Sequence, residues 1–351
     1  MKQKVGEKNG ARARVLVVGG TGTLGDATCP ELLLRGFDVD VVSLESRQSV
    51  TSRLDFIEAR ADLAFLREFL SGRPRYAAIV DFIHTPDVAE LRKRLDVLLA
   101  ATDQLVFLSS YRVYSDRDPV ITERTPQWLD VTDDAEFLEK DVYAIPKSYG
   151  ERHLRAHSGR NWTIVRPAIS FSHYRLDLVT VGAYAILYRT AAGKRVPLPI
   201  ETRDRIAAVG WAGNIGRQIA ALVGNPAALG EDFTLASGET LTWGDVAAAY
   251  EELGGCRFEW IPAADYLAVA TPGDFDNRQM LYRDRMLDRR MDVTKMLRAT
   301  GLDASSFVPC RDAVARELAI LSARPDLVAR FDTPARRALD VKMDDYLGAR
   351  T

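Results

Sequence analysis

The chain has 351 residues, 47% hydrophobic and 27% charged, proportions that suit one large α/β unit or a larger domain with a smaller partner. Its formal charge of -2 gives no electrostatic reason to expect nucleic acid or an acidic membrane as a partner. No apolar run reaches the ~20 residues of a spanning helix, and Cys29, Cys256 and Cys310 are too scattered for a disulfide framework, so a cytoplasmic location is expected.

Residues 1–12 are basic and lack an apolar core, so they are expected to be a flexible leader rather than a secretory signal. Arg14 to Val18 is a buried-type strand ended by Gly19 and Gly20, and a helix should run from there through Leu34 to a stop at Gly36. Pro30 falls inside that helix and should bend it. Val39 to Leu44 predicts a second strand and Asp62 to Leu70 a second helix, with no strand drawn between them. Ala77 to Ile83 is another apolar strand. Thr85-Pro86-Asp87 then offers an N-cap with proline in the first helical position, for a helix through Leu99. Gln104 to Leu108, Trp162 to Val165 and Asp232 to Leu235 complete the strands, and a helix over Tyr143 to His157 precedes the second of these.

Strands alternating with helices in this way predict an α/β fold of Rossmann type, a doubly wound parallel sheet covered on both faces. Residues 13–170, with the late strand near 232–236, would form the dinucleotide-binding domain. Residues 171–351 would mainly form a smaller, interleaved substrate-binding lobe. Helices are expected there near 178–192, 211–223, 243–253, Met291 to Leu297 and Ala313 to Leu321. The charged stretch from Arg324 has no assignable role.

Gly19, Gly22 and Gly25 sit where the first strand hands over to a helix. Such a turn lets the backbone approach a pyrophosphate, while the helix N-terminus, with Thr23 and Leu24 in its first turn, presents N–H groups to the anion. The second strand should end on a residue that meets the adenosine ribose, and this place falls near Ser43, followed by Glu45 and Arg47. Arg47 could pair with a 2′-phosphate and Glu45 could serve the ribose hydroxyls; NADP is favoured over NAD on the strength of the arginine.

Tyr143 and Lys147 are four residues apart, on one face of the expected helix. A phenol with a pKa near ~10 is a poor base at neutral pH, and a neighbouring ammonium lowers that pKa by stabilising the phenolate. Ser110 follows an apolar strand, at the carboxyl edge where such sheets hold ligands, and could donate to a substrate oxygen. The four histidines lack zinc-ligand spacing, and no metal site is expected; His84 is set apart from the others because it follows an apolar strand near the expected cofactor.

In order and spacing, GGTGTLG (19–25), LSSYRVY (108–114), YAIPK (143–147), the Val165-Arg-Pro167 step and Phe233 to Gly238 resemble the extended short-chain dehydrogenase/reductases, in particular the NAD-dependent epimerase/dehydratase family. The resemblance covers about residues 13–322 and implies Ser110, Tyr143 and Lys147 as catalytic residues, with hydride transfer at a carbinol or carbonyl carbon. It also implies Arg203 as the grip on a nucleotide-sugar phosphate, although a surface ion pair serves equally well. A homodimer through the helices near 87–99 and 143–157 follows from it too.

Departures from the family pattern narrow the chemistry. The adenine-binding acid falls on Ala59, with Asp62 as substitute. Tyr111 and Arg112 stand where sugar dehydratases carry an acid–base pair, so dehydration is disfavoured; Arg112 could instead face a negative substrate group. The expectation is a nucleotide-sugar 4-epimerase or ketoreductase. The alternatives are a non-sugar carbonyl reductase of secondary metabolism, or a non-catalytic NADP-sensing or RNA-associated protein of the same fold.

Overall fold

The computed structural model describes residues 12–271 and 273–349, so the expected leader lies almost wholly outside the described residues. Strands β1 to β6 are Arg14–Val18, Asp38–Ser43, Leu54–Glu58, Ala78–Asp81, Leu105–Leu108 and Trp162–Pro167. Short strands β7 to β10 follow at Ile169–Phe171, Val196–Pro199, Ile206–Ala207 and Val209–Trp211, then β11 at Glu231–Leu235, β12 at Leu241–Thr242 and β13 at Phe258–Ile261. Seven of these form one parallel sheet in the order β11-β6-β5-β4-β1-β2-β3. The order reverses beside β1, the place where an open α/β sheet leaves a crevice at its carboxyl edge.

The apolar run of β1 is continuous because both faces are covered. Val15 and Val17 point into one core with Cys29, Leu32, Ile215 and Ile219. Leu16 and Val18 point into the other with Leu66, Leu91, Leu95 and Leu154. The first core thus holds α1 (Thr23–Leu34) and, from later in the chain, the helix Ala212–Leu222. The second holds α2 (Leu63–Leu70), α3 (Val88–Ala100) and, beyond the short α4 (Trp128–Val131) and α5 (Ala135–Lys140), α6 (Ala144–Ala156). Helix α1 continues through Pro30, whose exposed position is reached without ending the helix.

Four expectations need correction. The edge strand β3 carries no clear strand pattern in the sequence, because Asp55 and Glu58 interrupt its apolar residues and only Leu54 is buried. At α3 the N-cap is Asp87, whose carboxylate accepts from the Glu90 N–H at 2.7 Å, so Thr85 and Pro86 precede the helix. Helix α7 is only Ala183–Ala191, because Leu178 and Val181 pair across a turn in which Val179 has a φ of 56°. The helix expected from Met291 begins at Thr294, since Met291 bridges to Ile121.

The second half of the chain adds three two-stranded pieces, β7 with β10, β9 with β12 and β8 with β13, among helices. These are α8 (Ala212–Leu222), α9 (Trp243–Gly254), α10 (Ala263–Ala270), α11 (Phe275–Met280), α12 (Thr294–Thr300) and α13 (Cys310–Ala323). A single π-turn at Leu281–Arg285 extends α11. From Arg324 the chain forms α14 (Pro325–Ala329) and α15 (Pro334–Gly348), the latter held to α7 by Arg189 against Asp340 at 2.5 Å and Asp344 at 3.0 Å. No helix among the described residues is long and apolar enough to cross a membrane.

Candidate active site

The turn after β1 is built for close approach. Gly19 has a φ of +80°, and a Cβ there would lie 2.9 Å from Ile83 Cδ1. A Cβ on Gly25 would fall 2.3 Å from the Gly20 Cα, so this glycine lets α1 pack directly on the turn. Gly22 is the N-cap of α1 and brings no capping side chain; the first N–H groups of the helix have no partner within it. Two cavities, of about 760 and 530 Å³, meet at Gly19, Gly22, Thr23 and His84. Together they make one elongated groove with an anion-favouring helix end at its middle. This geometry fits a dinucleotide, with Thr23, Leu24 and Gly25 lining the second cavity.

The larger cavity carries Ser43, Glu45 and Asp62 in its wall. Ser43 Oγ hydrogen bonds Thr21 Oγ1, and the Asp62 carboxylate caps α2 by accepting from Phe65 N–H at 2.9 Å. Arg47 is not part of that wall. Its guanidinium donates to Asp26 at 2.6 Å, to the Thr21 carbonyl at 2.9 Å and to Glu45 at 3.3 Å. The expectation of NADP rested on this arginine, and the structure commits its donors elsewhere; the preference is not supported. The opposite wall could not be foreseen. Leu327, Arg330 and Phe331, from the tail with no assignable role, close the cavity beside His173 and Tyr174. Arg330 pairs directly with Glu45, a contact 285 residues apart in sequence, which no local pattern announces.

The smaller cavity takes Ser110, Arg112, Tyr143 and His84 into its wall, and Lys147 lies outside that wall. Ser110 ends the segment after β5 and Tyr143 caps α6; both line the cavity with Arg112 and His84. Lys147 lies one turn along α6, buried, with its ammonium donating to the Leu108 carbonyl and facing the Phe107 ring. Pro146 falls in the first turn of α6, where its missing N–H costs nothing. Burial alone would raise the Tyr143 phenol, but the Lys147 ammonium, then Arg112 and Arg175, with the nearby Ser110 hydroxyl, bring it below its ordinary value. Burial also lowers Lys147, against the pull of Tyr143 and Asp81. His84 is lowered by burial and then by Lys147, which favours a neutral ring at pH 7; its Nε2 meets the Val142 carbonyl at 2.7 Å, beside Tyr143.

Three cavity residues escaped the sequence reading. Arg175 follows β7, Asp276 lies on α11 and Arg285 on the π-turn, all brought in by the second half of the chain. Tyr111 turns its hydroxyl to Asp284 and Arg285. Arg203 stays away: it is exposed, its guanidinium 5.8 Å from the Trp260 ring centre, and it belongs to the wall of neither cavity.

Behind the site, Arg166 on β6 donates to both oxygens of the buried Glu151 of α6, at 2.8 and 2.6 Å, and to Asp232 of β11 at 2.7 Å. Glu151 also accepts from Ser109, adjacent to Ser110. The bidentate pair ties α6, which begins after Tyr143, to β6, and the Ser109 bond ties the same carboxylate to the end of β5 beside Ser110.

The chain matches the NAD dependent epimerase/dehydratase family over residues 15–199, more than half its length. No curated protein matches its sequence significantly. Among solved structures it is similar to an epimerase from Methanothermobacter thermautotrophicus, at 15% identity and a TM-score of 0.68, over 91% of this chain and 95% of that one. A putative epimerase from Burkholderia cenocepacia is 16% identical with a TM-score of 0.66, over 89% and 98% of the two chains. The UDP-glucose 4-epimerase of Bifidobacterium longum, solved with NAD+ and UDP, is 18% identical with a TM-score of 0.64, over 89% and 99%. At such identities the likeness is one of fold, whereas the family match extends from β1 through the phosphate turn, Ser110, Tyr143 and Lys147 to β8. This chain is a member of the NAD dependent epimerase/dehydratase family of enzymes.

Proposed function

We propose that the protein binds NAD and a nucleotide sugar in its groove and acts at a carbinol of the sugar, as a 4-epimerase or a ketoreductase. The observation that carries this reading is the meeting of Ser110 and Tyr143 in the wall at one end of the groove that the glycine turn opens, with Lys147 buried one turn along the same helix. The turn and α1 would hold the pyrophosphate, Ser43 and Glu45 the adenosine ribose, and Asp62 the neighbourhood of the adenine. The nicotinamide would supply a hydride acceptor and donor. Tyr143, biased towards phenolate, takes the proton of the sugar hydroxyl and gives it back when a carbonyl is reduced. Ser110 donates to the same oxygen. Lys147 keeps the phenolate stable, and the His84 ring, against the Val142 carbonyl, fixes the backbone from which Tyr143 projects.

Tyr111 and Arg112 offer no acid–base pair for expelling water, and Asp276 is the one carboxylate in the cavity wall among the described residues. The test is incubation with UDP-, GDP- and dTDP-linked hexoses and uronates, following product mass and reduced cofactor separately. An isomer of unchanged mass without net cofactor reduction identifies an epimerase, and stoichiometric cofactor turnover a dehydrogenase or reductase. Loss of one water would overturn the reading of Tyr111 and Arg112 and turn attention to Asp276. A second reading, reduction of a carbonyl compound that is not a sugar, is favoured by one observation: Arg203, the residue expected to grip a sugar phosphate, lies outside the cavity. Failure of every nucleotide sugar to bind would select it.

A further inference from the structure

The wall around Tyr143 holds more positive charge than its reaction needs. Arg112 comes from the turn after β5, Arg175 from the loop after β7 and Arg285 from the π-turn, three segments far apart in sequence. Arg285 is matched: it donates to Tyr111 Oη at 2.7 Å, to the Val179 carbonyl at 2.9 Å and to Asp284. Arg175 spends its Nε on Asp177 at 2.5 Å. Arg112 is barely matched. Its side chain is 14% exposed, its charged partner is Asp141 at 4.0 Å, and its guanidinium carbon lies 4.8 Å from the centre of the Tyr143 ring.

Clustered cations repel. Arg285 is brought down to about 10, by burial first, with Arg112 and Arg175 acting in the same direction. The carboxylates that face the group are Asp141, Asp177, Asp284 and Asp276. Asp284 is shared with Arg289 at 3.0 Å, and Asp276 is pushed up by burial first and then by Asp141 and Asp274. A largely buried guanidinium with unspent donors is costly unless an anion arrives to take them.

We infer that the substrate carries a carboxylate on the carbon adjoining the reacting carbinol, and that Arg112, aided by Arg175, receives it. The inference rests on the hydride-transfer reading of the same cavity. Position argues for a carboxylate over the diphosphate of a nucleotide sugar: Arg112 lies 4.8 Å from the centre of the Tyr143 ring, beside the place the reacting carbinol would take in this reading, whereas a diphosphate hangs from the anomeric carbon across the sugar ring from C4. Shape agrees, since a planar carboxylate matches a guanidinium fork through two parallel hydrogen bonds. A hexuronate sugar has this arrangement, its carboxylate on C5 beside C4.

The test is calorimetric binding to the NAD-loaded protein of UDP-glucuronate against UDP-glucose, and of the corresponding dTDP- and GDP-linked pairs. The uronate is expected to bind about ten-fold tighter or better, the effect of one charge-assisted contact. Arg112→Met should bring the two ligands of a pair within about three-fold of each other, and Arg112→Lys should restore part of the difference. Melting curves of both variants check that they fold, and Arg175→Met provides an independent second variant. Equal binding of hexose and uronate by the wild type would overturn the inference and leave the nucleotide-sugar reading standing, as would a ratio indifferent to both arginines. Binding of no nucleotide sugar would defeat that reading and this inference with it.

Discussion

Replacing Arg112 by methionine removes a cation whose guanidinium carbon is 4.8 Å from the centre of the Tyr143 ring. The phenolate charge sits at the ring's edge, so the two charges are about 6 Å apart; at an effective dielectric of about 20 they interact by roughly 3 kcal/mol, or about two pKa units. Solvent on the cavity side reduces this, and a shift of about one unit or more is expected. The sign follows from the chemistry. Tyr143 is held below its ordinary pKa by Lys147 and then Arg112, against burial, so loss of Arg112 raises it. Oxidation of a carbinol needs the phenolate, and kcat/KM reports the free enzyme, so the rising limb of its pH profile should move to higher pH in the variant. Stopped assays of alcohol oxidation across the alkaline range would measure it. A limb that stays in place, or moves to lower pH, would refute the assignment of Tyr143 as the titrating base under the influence of Arg112.

Tyr143→Phe should lower kcat by about a hundred-fold or more while leaving NADH affinity nearly unchanged, and retention of more than about a tenth of kcat would show that another group moves the proton. Glu151→Gln leaves the buried Arg166 with Asp232 as its remaining charge partner and should cost about 1.5–3 kcal/mol in urea unfolding at neutral pH, the worth of a hydrogen bond to a charged group. Burial opposes ionisation of Glu151, but Arg166 foremost among its neighbours holds it below the usual carboxylate range. Its contribution is therefore complete above the unfolded pKa of about 4.3 and fades as the pH falls through the lower folded value, so the gap between wild type and variant should close only in acid. At the far cavity, Phe331→Ala should weaken NADH binding by roughly ten-fold through lost apolar contact, while Arg330→Ala, an exposed pair with Glu45, should change it by less than about five-fold. Wild-type titrations should also find NADH bound more tightly than NADPH, since Asp26 and Glu45 already occupy Arg47.

What could be seen in the sequence was whatever depends on neighbours along the chain. The continuous apolar residues of β1 and β4 announce strands buried on both faces, and the glycine spacing announces the turn between β1 and α1. The four-residue step from Tyr143 to Lys147 and the strand before Ser110 picked out residues that the structure brings close together, Ser110 and Tyr143 in one cavity wall and Lys147 buried beside Tyr143. β3 stayed hidden because an edge strand interrupted by two acids, with Phe56 and Ile57 only partly covered, lacks that apolar signal. Arg47 shows the opposite case: it follows β2, where a cofactor contact was expected, but Asp26, one helical turn into α1, claims the guanidinium. Arg175, Asp276 and Arg285 reach the cavity only through the folding of the second half of the chain, as do Leu327 and Phe331 at the other end. Arg203 was expected from the motif around it, and the loop that carries it turns outward.

The central claim is that hydrogen leaves the substrate carbon as a hydride, inside the groove, while Tyr143 handles only the hydroxyl proton. The direct measurement is turnover of a substrate deuterated at the reacting carbon, in ordinary water, with mass spectrometry of product and cofactor. The label should be found in the product or on the nicotinamide and not in the solvent. Loss of the deuterium to water during turnover would mean that the carbon is deprotonated instead, and would contradict the account.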